Sequence, residues 1–177
     1  MKKKRVLVIA AHPDDEILGC GGAMAIHSKK GDKVFSLILS QGILSRTEDL
    51  DKNFKIKALK KNSIKANRTV GVKKTFHENF PDNAFDTVKL LEIIKSVEAV
   101  LRVVKPNIIY THHKSDLNID HNITNRAVLT AVRPLPNSQI EKVLTFEVNS
   151  STEWSIDHPK DTFIANYFVS FDRFILS

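Results

Sequence analysis

The chain has 177 residues, 42% of them hydrophobic and 27% charged, with a formal net charge of +7. This is an ordinary composition for one globular domain with a buried core, and it excludes a disordered chain. No apolar run approaches the ~20 residues of a membrane-spanning helix, and the run after Lys2-Lys3-Lys4-Arg5 is too short for a signal-peptide core, so a cytoplasmic protein is expected. The single cysteine, Cys20, permits no intramolecular disulfide and is expected to pack as a small apolar residue.

The first predicted element is a strand over residues 5–10, short, apolar and rich in β-branched side chains, as buried parallel strands are. Open α/β sheets bind ligands at the carboxyl ends of their strands. Ala11-His12-Pro13-Asp14-Asp15-Glu16 stands at that position here, with one imidazole and three carboxylates. His12 and Asp15 are good metal-ligand types on a loop that Pro13 stiffens. Asp14 lies between them, points elsewhere, and is placed to accept a proton from water. Glu16 opens a predicted helix over 16–30, where it is expected to complement the helix dipole or to bond backbone N–H groups. Three acids at a helix start alone would mean capping; His12, the preceding strand and a second cluster favour a site. Gly19-Cys20-Gly21-Gly22 lacks the dinucleotide-binding spacing and follows acids where pyrophosphate would sit, so its glycines are expected to let the helix pack tightly on neighbouring backbone.

A strand is predicted over 34–39 and a helix over 54–70. The helix lies in a basic stretch with lysines at 52, 55, 57, 60, 61, 65, 73 and 74, expected to be a solvated face. Excess positive charge favours anionic partners. Few aromatics interleave with these lysines, so nucleic acid is not an expected partner. A third helix is predicted over 87–104, capped by Asp86 or Thr87, with Leu90, Leu91, Ile94, Val97, Val100, Leu101 and Val104 at helical spacing. Lys105-Pro106 ends it.

A strand over 107–111 leads to the second cluster, Asp116-Leu117-Asn118-Ile119-Asp120-His121. His121 precedes or begins a helix over 122–132 and offers a third ligand. Two histidines and one aspartate leave a coordination position open, the pattern of a catalytic zinc site. Asp120 is placed to orient a ring or a catalytic group. His112 and His113 are expected to be core or surface residues. Strands over 143–148 and 164–169 complete the pattern, and residues 134–138 form a loop. Alternating strands and helices predict an α/β fold, a mostly parallel sheet with helices on both faces, in one domain spanning 1–177. A doubly wound domain would cover its last edge with another helix. The expectation is a domain truncated at its C-terminus, or covered there by a partner such as a second copy in a homo-oligomer.

The chain resembles the PIG-L/LmbE-like family of zinc-dependent N-acetylglucosaminyl de-N-acetylases. The resemblance rests on A-H-P-D-D-E at 11–16 and D-L-N-I-D-H at 116–121, with weaker support from Gln41-Gly42, Ser45-Arg46 and Asn79-Phe80-Pro81-Asp82-Asn83. It implies a Rossmann-like fold and hydrolysis of the acetyl group from an N-acetylglucosamine-type conjugate, releasing acetate. It also implies metal ligands at His12, Asp15 and His121, a general base at Asp14, and substrate contacts at Arg46 and Asp82. The implied metal is Zn2+, although this donor set also accepts Fe2+ or Co2+. Asn118 stands where many members carry a histidine. Its amide can donate to an oxyanion but is no cationic acid, so Asp14 is left to return the proton. The positive charge fits a phosphorylated or acidic small-molecule amino-sugar conjugate: a nucleotide-sugar, a lipid-linked sugar or a glucosaminyl-malate-like compound. The competing reading is a metal- or sugar-binding homologue impaired by its short C-terminus. A nucleic-acid-binding domain is disfavoured because Asp14, Asp15 and Glu16 would repel phosphates.

Overall fold

The computed structural model of the chain describes residues 2–42, 52–134, 138–154 and 162–170. Its elements run β1 (Arg5–Ala10), α1 (Asp15–Lys29), β2 (Lys33–Ser40), α2 (Lys52–Thr69), β3 (Lys74–Phe80), α3 (Leu90–Val104), β4 (Ile108–His112), α4 (Ile119–Ala131) and β5 (Lys142–Phe146). The strands pair in the order β3-β2-β1-β4-β5, and every pairing is parallel. This is the expected α/β sheet.

Period-two alternation along β1 feeds two cores. Leu7 and Ile9 pack with Leu37 and Leu39 of β2, Ile93 and Val97 of α3, and Ala127 and Val128 of α4. Val6, Val8 and Ala10 face the other way, onto Met24 and Ala25 of α1 and onto Val70 and Val72 beyond α2. Helices therefore cover both faces. Each fully buried aliphatic side chain contributes roughly 1.5–3 kcal/mol, which makes β1 the anchor of the domain.

The chain leaves β1 toward β2 on one side and later returns to β4 on the other. That reversal opens a crevice at the carboxyl ends of β1 and β4. The two clusters singled out in the sequence, 11–16 and 116–121, emerge there.

Four local features differ from the sequence patterning. The patterning does not predict β3, which carries Lys74, His77 and Glu78 and no fully buried side chain; it pairs only with β2, at the sheet edge. The third helix starts at Leu90, not Thr87. Residues 85–87 form a separate 3₁₀ turn in which the Thr87 hydroxyl donates to the Ala84 carbonyl at 2.7 Å, and Lys89 is the N-cap. Residues 164–169 form no strand: residues of both parities are exposed, Ile164 and Phe168 among them, so no face is buried to reward pairing. Helix α4 begins three positions before residue 122, because Asn118 caps it by accepting the Asp120 N–H at 2.9 Å. His121 consequently sits in its first turn. The expected stop at Lys105 is present, in left-handed backbone with φ 48° ahead of Pro106.

Candidate active site

The loop after β1 is shaped by its own side chains. Asp15 Oδ2 accepts the His12 N–H at 2.9 Å, which folds the loop back on itself. The Asp14 carbonyl accepts the N–H groups of Ile17 and Leu18, both at 2.9 Å, and starts α1. Asp14 occupies the N-cap position, its carboxylate makes no capping hydrogen bond, and the residue lines a cavity of ≈ 530 Å³.

His12, Asp15 and His121 converge on the floor of that cavity. His12 Nδ1 lies 3.2 Å from His121 Nε2 and 3.2 Å from Asp15 Oδ2, and His121 Nε2 closes the triangle 3.1 Å from Asp15 Oδ2. Nitrogen and oxygen donors that share a divalent ion at ~2.0–2.1 Å stand about this far apart in a tetrahedral shell. The donor chemistry and the spacing fit a zinc-like cation.

Buried acids hold each imidazole from behind. His12 Nε2 faces Asp120 Oδ2 at 3.1 Å and Asp82 Oδ1 at 3.5 Å, while Asp120 Oδ1 accepts the Phe85 N–H at 2.9 Å. His121 Nδ1 faces Asp116 Oδ2 at 3.1 Å and Ser151 Oγ at 3.3 Å. Asp116 is fixed in turn by the Thr152 hydroxyl at 2.6 Å and the Asn118 N–H at 2.9 Å. A ring N–H given to a carboxylate leaves the opposite nitrogen's lone pair aimed at the shared centre.

These contacts govern protonation. Burial disfavours the charged His12 ring, but hydrogen bonds to Asp120 and Asp15 outweigh it and push its pKa up to about 10. Burial likewise opposes ionisation of Asp15, and the His12 and His121 hydrogen bonds overcome it, holding the carboxyl well below the usual range. His112 behaves in the opposite way. Burial, with the His121 ring beside it, holds its pKa down to about 3. Its Nε2 accepts the Ala11 N–H at 2.9 Å, and its ring stacks on His121 with centroids 3.9 Å apart.

His112, Asp116 and His121 also bring ligand atoms within 4.8 Å of one another. That set is the poorer candidate. His112 Nε2 is already committed to Ala11, and neither His112 nor Asp116 lines the cavity. A larger groove of ≈ 680 Å³, between the C-terminal ends of α3 and α4, contains none of these residues.

The structure brings six of the eight sequence-singled residues to one cavity wall: His12, Asp14, Asp15, Asp82, Asn118 and His121. Asp120 lies directly behind His12. Arg46 lies outside the described residues. Asn118 lines the cavity while its side-chain amide donates to Asn83 Oδ1 at 3.1 Å. His113 is half-buried against Phe163, as expected of a surface residue, and His112 is the core residue expected, though within 3.4 Å of Asp15 Oδ2. Sequence reasoning gave no role to Asp116, Ser151 or Thr152. Asp116 had a signal, as the first acid of the second cluster; Ser151 and Thr152 had none. Cys20 is free and buried. Of the glycines at 19, 21 and 22, Gly19 makes the close approach, and its neighbour is the Phe146 ring, a side chain and not the backbone expected.

The fold and this cluster define an α/β protein with a histidine–aspartate triad, its side chains of metal-ligand type, at the sheet's switch point. The family model described as "PIG-L: GlcNAc-PI de-N-acetylase" matches residues 7–132, and the chain belongs to that family. It is 28% identical over 155 residues to "Uncharacterized deacetylase YaiS" of Escherichia coli K12, covering 85% of this chain and 77% of that protein. It is 25% identical over 164 residues to "Probable N-acetyl-alpha-D-glucosaminyl L-malate deacetylase 2" of Bacillus cereus, covering 89% of this chain and 74% of that protein. Among solved structures it superposes on the N,N'-diacetylchitobiose deacetylase from Pyrococcus horikoshii with a TM-score of 0.66 and 26% identity. That match takes in 77% of this chain and 52% of the archaeal one, so the chain spans about half its length.

Proposed function

We propose that this chain is a metal-dependent hydrolase that removes the acetyl group from an N-acetylglucosamine-type conjugate and releases acetate. The observation that carries this reading is the triangle of His12 Nδ1, Asp15 Oδ2 and His121 Nε2, with edges of 3.1 to 3.2 Å, on the floor of a cavity that Asp14 also lines. Family membership and the deacetylase relatives support the same reaction class.

His12, Asp15 and His121 would hold a divalent cation, with zinc the best fit to two nitrogens and one oxygen, which would supply Lewis-acid polarisation and lower the pKa of water toward neutral. Asp14 takes the proton of the attacking water and returns it to the leaving amine, so one carboxylate serves as base and then as acid. Asp120 holds the His12 ring and is a positioning residue. Asn118, bonded to Asn83 at the cavity rim, supplies an amide that binds the substrate's polar groups or the developing oxyanion. Asp82 sits at the cavity wall beside His12 and contacts substrate hydroxyls there. Arg46 is proposed as a further substrate contact.

The net charge of +7 favours an acidic or phosphorylated aglycone over a neutral one. Residues 1–177 act as one domain in this reading, and the lone buried thiol suits the cytoplasm. The test is acetate release from a panel of N-acetylglucosamine conjugates with neutral, carboxylate and phosphate aglycones, with metal content measured on the same sample. The reading requires release that chelation abolishes and zinc, iron or cobalt restores. A protein that binds zinc stoichiometrically and releases no acetate from any conjugate would be a binding homologue instead.

A further inference from the structure

Glu16 is fully buried beside the site and takes no part in the chemistry above. Both of its carboxylate oxygens are committed. Oε2 accepts the Asp14 backbone N–H at 3.1 Å, and Oε1 accepts the Asn67 Nδ2 at 2.6 Å. Asn67 is itself fully buried, near the C-terminal end of α2, and its Nδ2 also donates to the Ser63 carbonyl at 3.0 Å. Its Oδ1 has no hydrogen-bond partner. A buried amide with an unsatisfied carbonyl costs free energy that an aliphatic side chain of similar size would not. What the position gains in return is the donor to Glu16.

At the other end of this chain of contacts, Asp14 has φ 152° and ψ −30°. Non-glycine residues rarely adopt positive φ, and such strain persists only where the surroundings enforce it. An unconstrained N-cap aspartate relaxes to extended backbone and turns its carboxylate onto the N–H groups of the first helical turn. Asp14 makes no such bond. Glu16, two positions after the cap, reaches back to accept the Asp14 N–H, one residue earlier than the acid of a capping box, while the forward bond from the cap side chain is not made.

We propose that Asn67 and Glu16 are positioning residues for Asp14. Helix α2 fixes Glu16 through Asn67, Glu16 fixes the strained backbone of Asp14, and the Asp14 carboxylate is thereby directed into the cavity instead of onto the end of α1. The proposal rests on the hydrolase reading above, in which Asp14 handles the proton. Neither Asn67 nor Glu16 touches the reacting atoms.

The test compares Asn67→Ala with the parent protein in two settings. In the zinc-loaded enzyme, kcat should fall by about 10²-fold, the scale of a misplaced catalytic group, with KM and zinc affinity unchanged. In an Asp14→Asn background the same substitution should cost nothing further, because the group it positions is already gone. In the zinc-free protein, hydrogen exchange at the Asp14 amide should accelerate. Glu16→Gln, which keeps the volume but leaves one acceptor for two donors, so that its NH2 opposes either Asn67 Nδ2 or the Asp14 N–H, should reproduce this pattern if Asn67→Ala does not fold. Full turnover in both variants, an equal loss in both Asp14 backgrounds, or unchanged exchange at Asp14 would overturn the proposal. Should the parent protein release no acetate from any conjugate, the hydrolase reading fails, and the exchange measurement still decides whether the clamp exists.

Discussion

Asp120 meets the His12 ring at 3.1 Å on Nε2, the nitrogen opposite the one that faces Asp15 and His121. One carboxylate therefore sets the direction of a ligand that it does not share. Asp120 is itself aimed by the Phe85 N–H, so the turn before α3 and the first turn of α4 jointly fix a residue of the β1 loop. Replacing Asp120 by Ala frees the ring to rotate and removes the acceptor that favours the correct tautomer. Zinc affinity should fall by about 10- to 100-fold. Competition with a chromophoric chelator measures it, and an affinity equal to the parent's would show that the ring is held by packing alone.

Asp14 behaves differently, because it is no member of the ligand triangle. Asp14→Ala should leave zinc content at the parent level while turnover falls by about 10²–10⁴-fold, the range for loss of a general acid–base. Metal analysis and steady-state acetate release on one preparation separate the two effects. Zinc loss in parallel with activity would make Asp14 a ligand.

At the proposed site a proton and a cation would compete for the same nitrogen. In the metal-free protein the His12 pKa is pushed up to about 10, because the Asp120 and Asp15 hydrogen bonds overcome burial. The folded state therefore holds a proton that the unfolded chain releases near ~6.5. That proton stabilises the metal-free fold fully below pH ~6.5, and its contribution is lost as pH rises toward 10. Zinc must expel the proton, so zinc affinity should weaken as pH falls, and binding should acidify a weakly buffered solution. Urea melts of chelated protein across this window and a pH-stat zinc titration measure both effects. Metal-free stability that climbs from pH 6.5 to 10 would contradict the assignment.

Gly19 lets α1 lie against β5. An added Cβ would stand 2.2 Å from the Phe146 ring, and the same ring packs on His112 with centroids 4.8 Å apart. Gly19→Ala should destabilise the fold by roughly 1–3 kcal/mol through overpacking, and the displaced Phe146 should disturb the His112–His121 stack. Chemical denaturation gives the first quantity and zinc affinity the second. A variant as stable as its parent would mean that the helix shifts freely on the sheet.

The parts of the site carried by local chemistry were legible in the chain. An apolar β-branched run followed at once by His12, Asp14 and Asp15 states both where the residues stand in the sheet and what they can do. His121 was legible through its acidic neighbours. The supports behind the imidazoles were not: Asp116 and Thr152 meet through the fold of the β5 end, and no spacing encodes that. Strand β3 escaped because an edge strand interleaves Lys74, His77 and Glu78 with its apolar residues, which weakens the periodic signal. Residues 164–169 misled for the converse reason: they have the composition of a strand with no face to bury. For Glu16 the bond to a backbone N–H was legible from its place at the helix start, and Asp14 supplies that N–H; its burial against Asn67 was not, because it depends on α2, far away in sequence.

The most direct test of the account is anomalous X-ray diffraction from zinc-loaded crystals, collected on both sides of the zinc absorption edge. One strong site bounded by His12 Nδ1, Asp15 Oδ2 and His121 Nε2 is expected. A peak seated between His112 and Asp116, or no peak near His12 at saturating zinc, would contradict it.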